Sequence, residues 1–592
     1  MPVCHNKTPR MIFNLKHLCI WMILSCSFFA FAQDEEKDDL GTQEITVVKS
    51  YSPSLKNVFK IRSNPSIDDS LVQKKQKVNY SFETIPVLST FIPNKASPLK
   101  LQRQEPSIYQ NAYVSAGFGN QSHPQLGFSS MVPLDRTQSI GFKFVHSSLA
   151  GIEGTILNSD QNRTTLDFIH QYKQNNMRVD SDLRYDRQGH NFFGIDDLSN
   201  IPTFRSEVVD PSQNLNYLSI RSRWQWYEGI FSTVNFDTHV TTDSYDSSEY
   251  IIKANALINI PIWDQFIEII PEIEWVNTSF VRGYFNEGAV DSKKGLSQVQ
   301  LRFSSDGRKL KFKLGAGGYY PLGTFEETAQ FYIYPKAEIS YTTTNGKWIP
   351  FLKYEGSYDL NSFTSFSLEN PYVAPTLEIE STQLNHWGVI GFKAYAGSGL
   401  SFTFDTSYSQ SDNFPLFRRL PYDKSNKDVG YRLGNTYQII YDSIEKMGMK
   451  TQIDLRFSEY NKLSLQTGLY EYKRKGGKKV WNLPSLTIDL DANFRLGKKL
   501  FFQLGGHYIG ARDSVQNILV HQAESEPAYE TIASLSGVFS IASSITWKIN
   551  SRWDLFYENN LILGDQTSRW AYYQNQSQLH LGGIRYKFDI NL

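Results

Sequence analysis

The chain has 592 residues, 60 basic against 60 acidic side chains, and 14% aromatic residues, with a mean hydropathy of −0.40. A formal net charge of zero leaves no footprint for nucleic acid, and no run of about 18 apolar residues follows residue 33, which excludes helical membrane spans. Many aromatics in a chain that is hydrophilic on average fit strands that alternate lipid-facing with lumen-facing residues.

Lys16 and His17 precede an apolar run from Leu18 to Ala32, and Ala30-Phe31-Ala32 offers a small-x-small cleavage site before Gln33. This predicts a secretory signal over 1–32, starting at Met1 or Met11. All three cysteines, Cys4, Cys19 and Cys26, lie inside it, so the exported protein is expected to carry no disulfide and no cysteine-ligated metal. Residues 33–110 read as a separate segment. It opens acidic and is punctuated by Pro53, Pro65, Pro86, Pro93 and Pro98, a spacing that forbids long helices and interior strands. Within it, Glu44-Ile45-Thr46-Val47-Val48 is a short β-prone stretch, suited either to adding as a strand to a partner's sheet edge or to an ordinary edge strand of this chain.

From 111 to 592 period-two alternation is nearly continuous. Its clearest instance is Pro484 to Gly510. Leu486, Ile488, Leu490, Ala492, Phe494 and Leu496 share one parity, and Thr487, Asp489, Asp491, Asn493 and Arg495 take the other. Gly497-Lys498-Lys499 then turns the chain, and Leu500, Phe502, Leu504 and Tyr508 resume. That is a hairpin with arms long enough to cross a membrane at a tilt. Reading onward in this way predicts an all-β, closed antiparallel transmembrane barrel of about 22 strands. Among them are strands at 398–410, 447–459, 531–548 and 578–591. Short connections (Asn345-Gly346, Ala396-Gly397, Asn461) alternate with long ones (187–213, 360–380, 411–446, 512–530), as the two ends of such a barrel require. The even count holds only if 427–446 belongs to a long loop. In the last strand Gly582-Gly583 is expected to form a bulge that shifts parity. Trp224, Trp226, Trp263, Trp348, Trp547, Trp553 and Trp570 read as interfacial anchors.

Catalytic signals are weak. The eleven histidines are scattered without HxxxH or HxH spacing, and no GxSxG, P-loop or GxGxxG stands between a strand and a helix. His507 or His580, with a neighbouring serine, would be the candidates for a barrel-wall pair. No enzyme, cofactor or metal site is expected. The long loops carry the remaining candidates for ligand binding: Phe192, Phe193, Asp196 and Asp197 in one, Phe417, Arg418, Arg419 and Tyr422 in another. Aromatics with arginines suit an exposed binding surface, and equally suit loops that fold over the barrel mouth and pack on one another.

The stretches EITVVKSYSPSLKNVFKI and SFETIPVLSTFIPNKA, followed by a barrel of this size, resemble the TonB-dependent receptor-like outer-membrane proteins of Bacteroidota. The resemblance implies an outer-membrane location, lipid contact, and energised uptake of a ligand. It also implies contact of Glu44 to Val48 with TonB or another periplasmic or outer-membrane component. The segment before the barrel is short beside that family's plug. A non-transporting accessory barrel in an outer-membrane assembly or secretion complex, or a passive channel, is therefore the alternative.

Overall fold

A computed structural model describes residues 110–195, 210–263, 265–285, 287–323, 330–397, 399–423, 429–477, 479–517, 530–564 and 569–591. The chain divides into two units, Met1–Leu101 and Gln102–Leu592, and every described residue lies in the second. The strands form successive hairpins. In the first third they are β1 (Ala112–Gly119), β2 (His123–Pro133), β3 (Gln138–Leu149), β4 (Gln161–Lys173), β5 (Met177–Asn191), β6 (Ser212–Trp226), β7 (Phe231–Thr242) and β8 (Ser248–Ile262). Next come β9 (Gln265–Phe280), β10 (Val290–Asp306), β11 (Leu310–Gly323), β12 (Tyr332–Tyr341), β13 (Trp348–Asp359), β14 (Thr382–Ala396), β15 (Leu400–Arg419) and β16 (Tyr437–Arg456). The last are β17 (Lys462–Arg474), β18 (Leu486–Leu496), β19 (Leu500–Ile509), β20 (Arg512–Asn517), β21 (Glu530–Leu535), β22 (Val538–Lys548), β23 (Trp553–Leu563) and β24 (Gln578–Phe588). One helix, α1 (Phe363–Glu369), lies between β13 and β14.

From β2 to β19 and for β23 and β24 each strand pairs antiparallel with its predecessor, β19 pairs with β22, and β24 closes on β1, giving a closed sheet of 22 strands. Closure leaves no edge to meet hydrocarbon, where unpaired backbone groups cost several kcal/mol each. The two faces differ as the alternation demands. Across β4, β5 and β6, Asp167 pairs with Arg184 at 2.7 Å, Asp186 with Arg163 at 2.5 Å, and Asp182 with Arg221 at 2.8 Å. Between them Phe168, Leu183 and Ile220 stand 50%, 42% and 45% exposed. Apolar side chains so exposed belong against lipid, which puts the ion-paired face in the lumen. The lumenal pattern continues with Lys253 between Glu272 and Glu274, and Glu268 between Arg302 and Lys313.

The Leu486–Leu496 and Leu500–Ile509 hairpin forms in the expected register, with Leu496 opposite Leu500 and Gly497 at φ +66°. Trp224, Trp263, Trp348, Trp547 and Trp553 are exposed beside the short connections, forming a belt at that end. Four expectations need correction. The 531–548 segment is two strands. Ser536 and Gly537 interrupt it, and β21 pairs with β20 in a hairpin outside the barrel, which Gly537 permits by letting the backbone approach the Tyr508 hydroxyl. The 411–446 loop contracts to 420–436, because β15 runs on to Arg419 and β16 begins at Tyr437, so the count stays even. No bulge occurs at Gly582-Gly583. β24 pairs without a shift on both sides, and Leu579 and Leu581 face the lumen, with Leu581 buried against Gly117. Trp570 is buried, 5% exposed, in a cluster of loop residues and is no membrane anchor.

Candidate functional site: an interlocked cap of loops

The long connections meet in one buried cluster. It takes Leu157 from loop 150–160, Phe192 and Phe193 from the end of β5 onward, Tyr284 from loop 281–289, Phe363 to Ile379 from loop 360–381, Phe417 to Ile439 around loop 420–436, and Trp570 and Tyr573 from loop 564–577. Loops that follow β5 and β15 leave the ring ten strands apart, nearly opposite each other. Their contact therefore crosses the mouth, and the cluster is a cap.

α1 anchors the cap to the wall. Ser362 caps it through the Ser365 amide at 3.0 Å, with Ser365 answering in a capping box. The first-turn amides of Phe363 and Thr364 also donate to the carboxylate of Glu249 on β8, at 2.7 and 2.8 Å. Glu249 is fully buried and accepts a third bond from Thr278 at 2.6 Å. A carboxylate at a helix N-terminus satisfies orphan amides and complements their partial charge. Phe363 then meets Phe280 edge-on at 5.3 Å, and Phe366 meets Phe417.

Beyond α1 the loops are stitched by backbone. Ala374 donates to the Tyr437 carbonyl at 2.8 Å, and Tyr437 donates to that of Tyr372 at 2.9 Å, a short parallel bridge. Tyr372 stacks on Tyr573 at 3.4 Å, whose hydroxyl donates to the Asn435 carbonyl. Three buried polar side chains span loops. Arg419 donates to the carbonyls of Gly434 at 2.5 Å and Gly194 at 2.9 Å, with its guanidinium 4.2 Å from the Tyr572 ring. Asn435 donates to the Phe192 and Gly430 carbonyls. Arg432 donates to the Tyr284 and Gly283 carbonyls and pairs with Asp423 and Glu287. A buried guanidinium offers a fixed fork of donors, which suits it to collecting carbonyls that the loops cannot pair themselves.

His190 lies at the loop end of β5, beyond the last lipid-facing residue of that strand, Tyr185. Its Nε2 donates to the Pro371 carbonyl at 2.8 Å, since a carbonyl only accepts, and its ring is edge-on to Phe192 and Tyr372. Burial pushes its pKa down to about 4. In the same cap, burial pushes the Tyr437 hydroxyl up to about 12, so both stay neutral at pH 7.

The residues singled out from the sequence divide between the cap and its border. Phe192, Phe193, Phe417 and Arg419 are buried inside the cap, and Tyr422 packs against it. Phe193 lies 5.0 Å from Tyr573. Arg418 sits beside the cap, facing the Gln438 amide. Asp196 and Asp197, and Glu44 to Val48, lie outside the described residues. Sequence reasoning missed Glu249, Tyr372, Arg432, Asn435, Tyr437 and Tyr573. Only the Ser362-x-x-Ser365 cap was readable as a local signal. On the lumenal wall His507 bonds to Asp489 at 2.5 Å, and Ser540, opposite it in the ladder, makes no hydrogen bond to it. His580 bonds to Tyr557 on the outward face. Among the described residues no group of three or more His, Cys, Asp or Glu is placed to hold a metal.

No family model matches the sequence, and no curated protein matches it. Solved structures do. The chain is similar to the FrpB iron transporter from Neisseria meningitidis (F3-3 variant), with TM-score 0.60, 9% identity, and 81% of this chain covering 82% of that one. It is similar to the pyoverdine outer-membrane receptor FpvA from Pseudomonas aeruginosa PAO1, with TM-score 0.58, 10% identity, and 82% covering 80%. It is also similar to the ferric-catecholate import receptor Fiu from E. coli K12, with TM-score 0.54, 11% identity, and 81% covering 82%. At these identities the likeness is one of fold.

Proposed function

We propose that this chain is a receptor of the outer membrane that takes up a ligand across it. In this reading residues 1–32 are a cleaved signal, 33–110 form a periplasmic or plug-like segment, and Glu44 to Val48 engage TonB or a comparable periplasmic component. The observation that carries the reading is the fold, a closed 22-strand barrel aligned over four fifths of an iron transporter and a ferric-catecholate import receptor. The interlocked cap gives such a receptor something to move, because described loops from opposite sides of the ring pack on one another across the mouth. It also stands against a passive channel. Asp196, Asp197, Arg418 and Tyr422 border the cap or continue its loops in sequence, and in this reading they contact the ligand at its outer face.

The test is photo-crosslinking in cells with the probe at Thr46, Val47 or Val48, followed by mass spectrometry. A TonB adduct is expected. Adducts only with assembly or secretion components would replace this reading with the accessory one. Adducts only with the barrel's own wall would sink the energised mechanism.

A further inference from the structure

The wall is not equally closed all the way round. Between β12 and β13 only Ala337 to Ser340 pair with Phe351 to Tyr354, whereas the next-shortest ladders, such as that between β17 and β18, hold eight pairs. Pro335 and Pro350 stand beside the two ends of this short ladder, where neither supplies a backbone donor. Above it, β12 from Tyr332 to Lys336 continues pairing with β11, and β13 from Ser357 to Asp359 continues with β14, but not with each other. At the same level β13 carries a register shift between Glu355 and Ser357. The intervening Gly356 leaves room for Tyr334, whose ring an added Cβ would meet at 2.6 Å.

Side chains close this seam where backbone does not. Lys336 pairs with Glu355 at 3.3 Å, Tyr332 stacks on Tyr358 at 5.1 Å, and Tyr334 lies parallel to Tyr332 and edge-on to buried Tyr319. Outside, Phe331 and Ile333 are 58% and 65% exposed, so this stretch borders lipid. Inside is a cavity of about 510 Å³ whose lining includes Tyr332, Tyr358, Leu360 and Leu377 together with Glu380 and Lys294, whose amine donates to the Ile379 carbonyl at 2.5 Å. That volume is in the range of small-molecule sites. Unpaired strand edges in a lipid wall are costly, so a seam persists only where something covers it. A ring stack is a weak contact and yields readily.

We infer that the β12–β13 seam is a lateral port from the membrane, and that the cavity behind it takes an amphiphile. The apolar chain lies between the tyrosines and the lipid, and the polar head faces Lys294 and Glu380. This deepens the uptake reading and rests on it only for the steps after binding. The port itself is tested without any energy source.

The experiment uses the full chain in phosphatidylcholine vesicles doped with a lysophosphatidylcholine whose acyl chain carries a diazirine, with adducts mapped by mass spectrometry. Labelling is expected at Ile333 outside and also at Tyr358, Leu360 and Leu377 inside. Tyr332→Ala with Tyr358→Ala should raise labelling at Leu360 and Leu377 at least threefold. Lys336→Cys with Glu355→Cys, in a chain whose Cys4, Cys19 and Cys26 are serine, should lower it by a similar factor when oxidised and restore it on reduction. The two variants move the signal in opposite directions, so loss of folding in one cannot mimic the pattern. Labelling confined to outward residues, or inner labelling that neither variant changes, overturns the port. Failure of the TonB crosslink with this pattern intact would overturn uptake and leave the port standing.

Discussion

Acid should loosen the cap through His190. Its ring is buried between Phe192 and Tyr372 with only the Pro371 carbonyl to bond, and its pKa falls from 6.5 to about 4. When loop 360–381 lifts away, the imidazole meets water and regains its ordinary pKa. Between those two values the open state binds a proton that the closed state refuses. Stability of the closed cap is therefore complete above about pH 7 and declines as pH falls from 6.5 toward 4. The whole loss is about 3 kcal/mol, and at pH 5 it is already roughly 2 kcal/mol, or about thirtyfold in the opening equilibrium. Asp243, in the loop after β7, works in the opposite sense, because burial raises its pKa and the closed form gains as it protonates. Comparing wild type with His190→Gln cancels that contribution, since glutamine keeps a donor for Pro371 and does not titrate. Hydrogen exchange at the Phe192, Ala374 and Tyr437 amides, corrected for intrinsic rate, reads the opening directly. Between pH 7.5 and pH 5 wild type should gain roughly thirtyfold more opening than His190→Gln, whatever the response of Asp243 that the two share. An equal acid response in both proteins would refute the assignment of the switch to this ring.

Three further outcomes are expected. Glu249→Gln should expose the first turn of α1 to exchange at a cost of about 2–4 kcal/mol, because an amide turns one acceptor toward three donors into a competing donor. Arg419→Met leaves the Gly194 and Gly434 carbonyls without this donor, so the cap should weaken by roughly 2–4 kcal/mol and Trp570 emission should shift to the red. Gly497→Ala, at φ +66° with open space around it, should cost the barrel about 1 kcal/mol in reversible unfolding while leaving cap exchange unchanged.

The barrel was legible because its information is local. Strict alternation in Leu486 to Leu496, a turn at Gly497, and the contrast of short and long connections each report on neighbours in sequence, and antiparallel pairing uses little else. Where apolar residues served the lumen, the same rule misled. Leu579 and Leu581 looked out of phase with Ile584 because lipid was taken as the only apolar surroundings, whereas Leu581 packs against Gly117 inside. The cap was illegible for the opposite reason. His190 bonds across 181 residues, Arg419 across 225 and Asn435 across 243, and no periodicity marks partners so distant. Trp570 shows the limit clearly, since nothing local separates a tryptophan that faces headgroups from one that fills a lid.

The cap and the seam make competing claims about how a ligand reaches the lumen, and energetics separates them. Passage through the mouth must part the Tyr372–Tyr573 stack, the Val373–Tyr437 bridge and the bonds of Arg419 and Asn435 together, because they share residues. A ligand shifts such an equilibrium only by its differential affinity for the open form, and micromolar binding supplies about 8 kcal/mol in total. Passage through the β12–β13 seam parts one ring stack and one ion pair, of a largely buried Lys336 with a partly exposed Glu355, and leaves the cap in place. Tethering the cap with a short bifunctional thiol reagent across Phe193→Cys and Tyr573→Cys, whose rings lie 5.0 Å apart, should therefore leave acyl-diazirine labelling of Leu360 within about twofold of the untethered protein, a margin of roughly 0.4 kcal/mol. If the tether abolishes that labelling, the lipid probe reaches the cavity through the mouth, and the seam is merely a weak ladder.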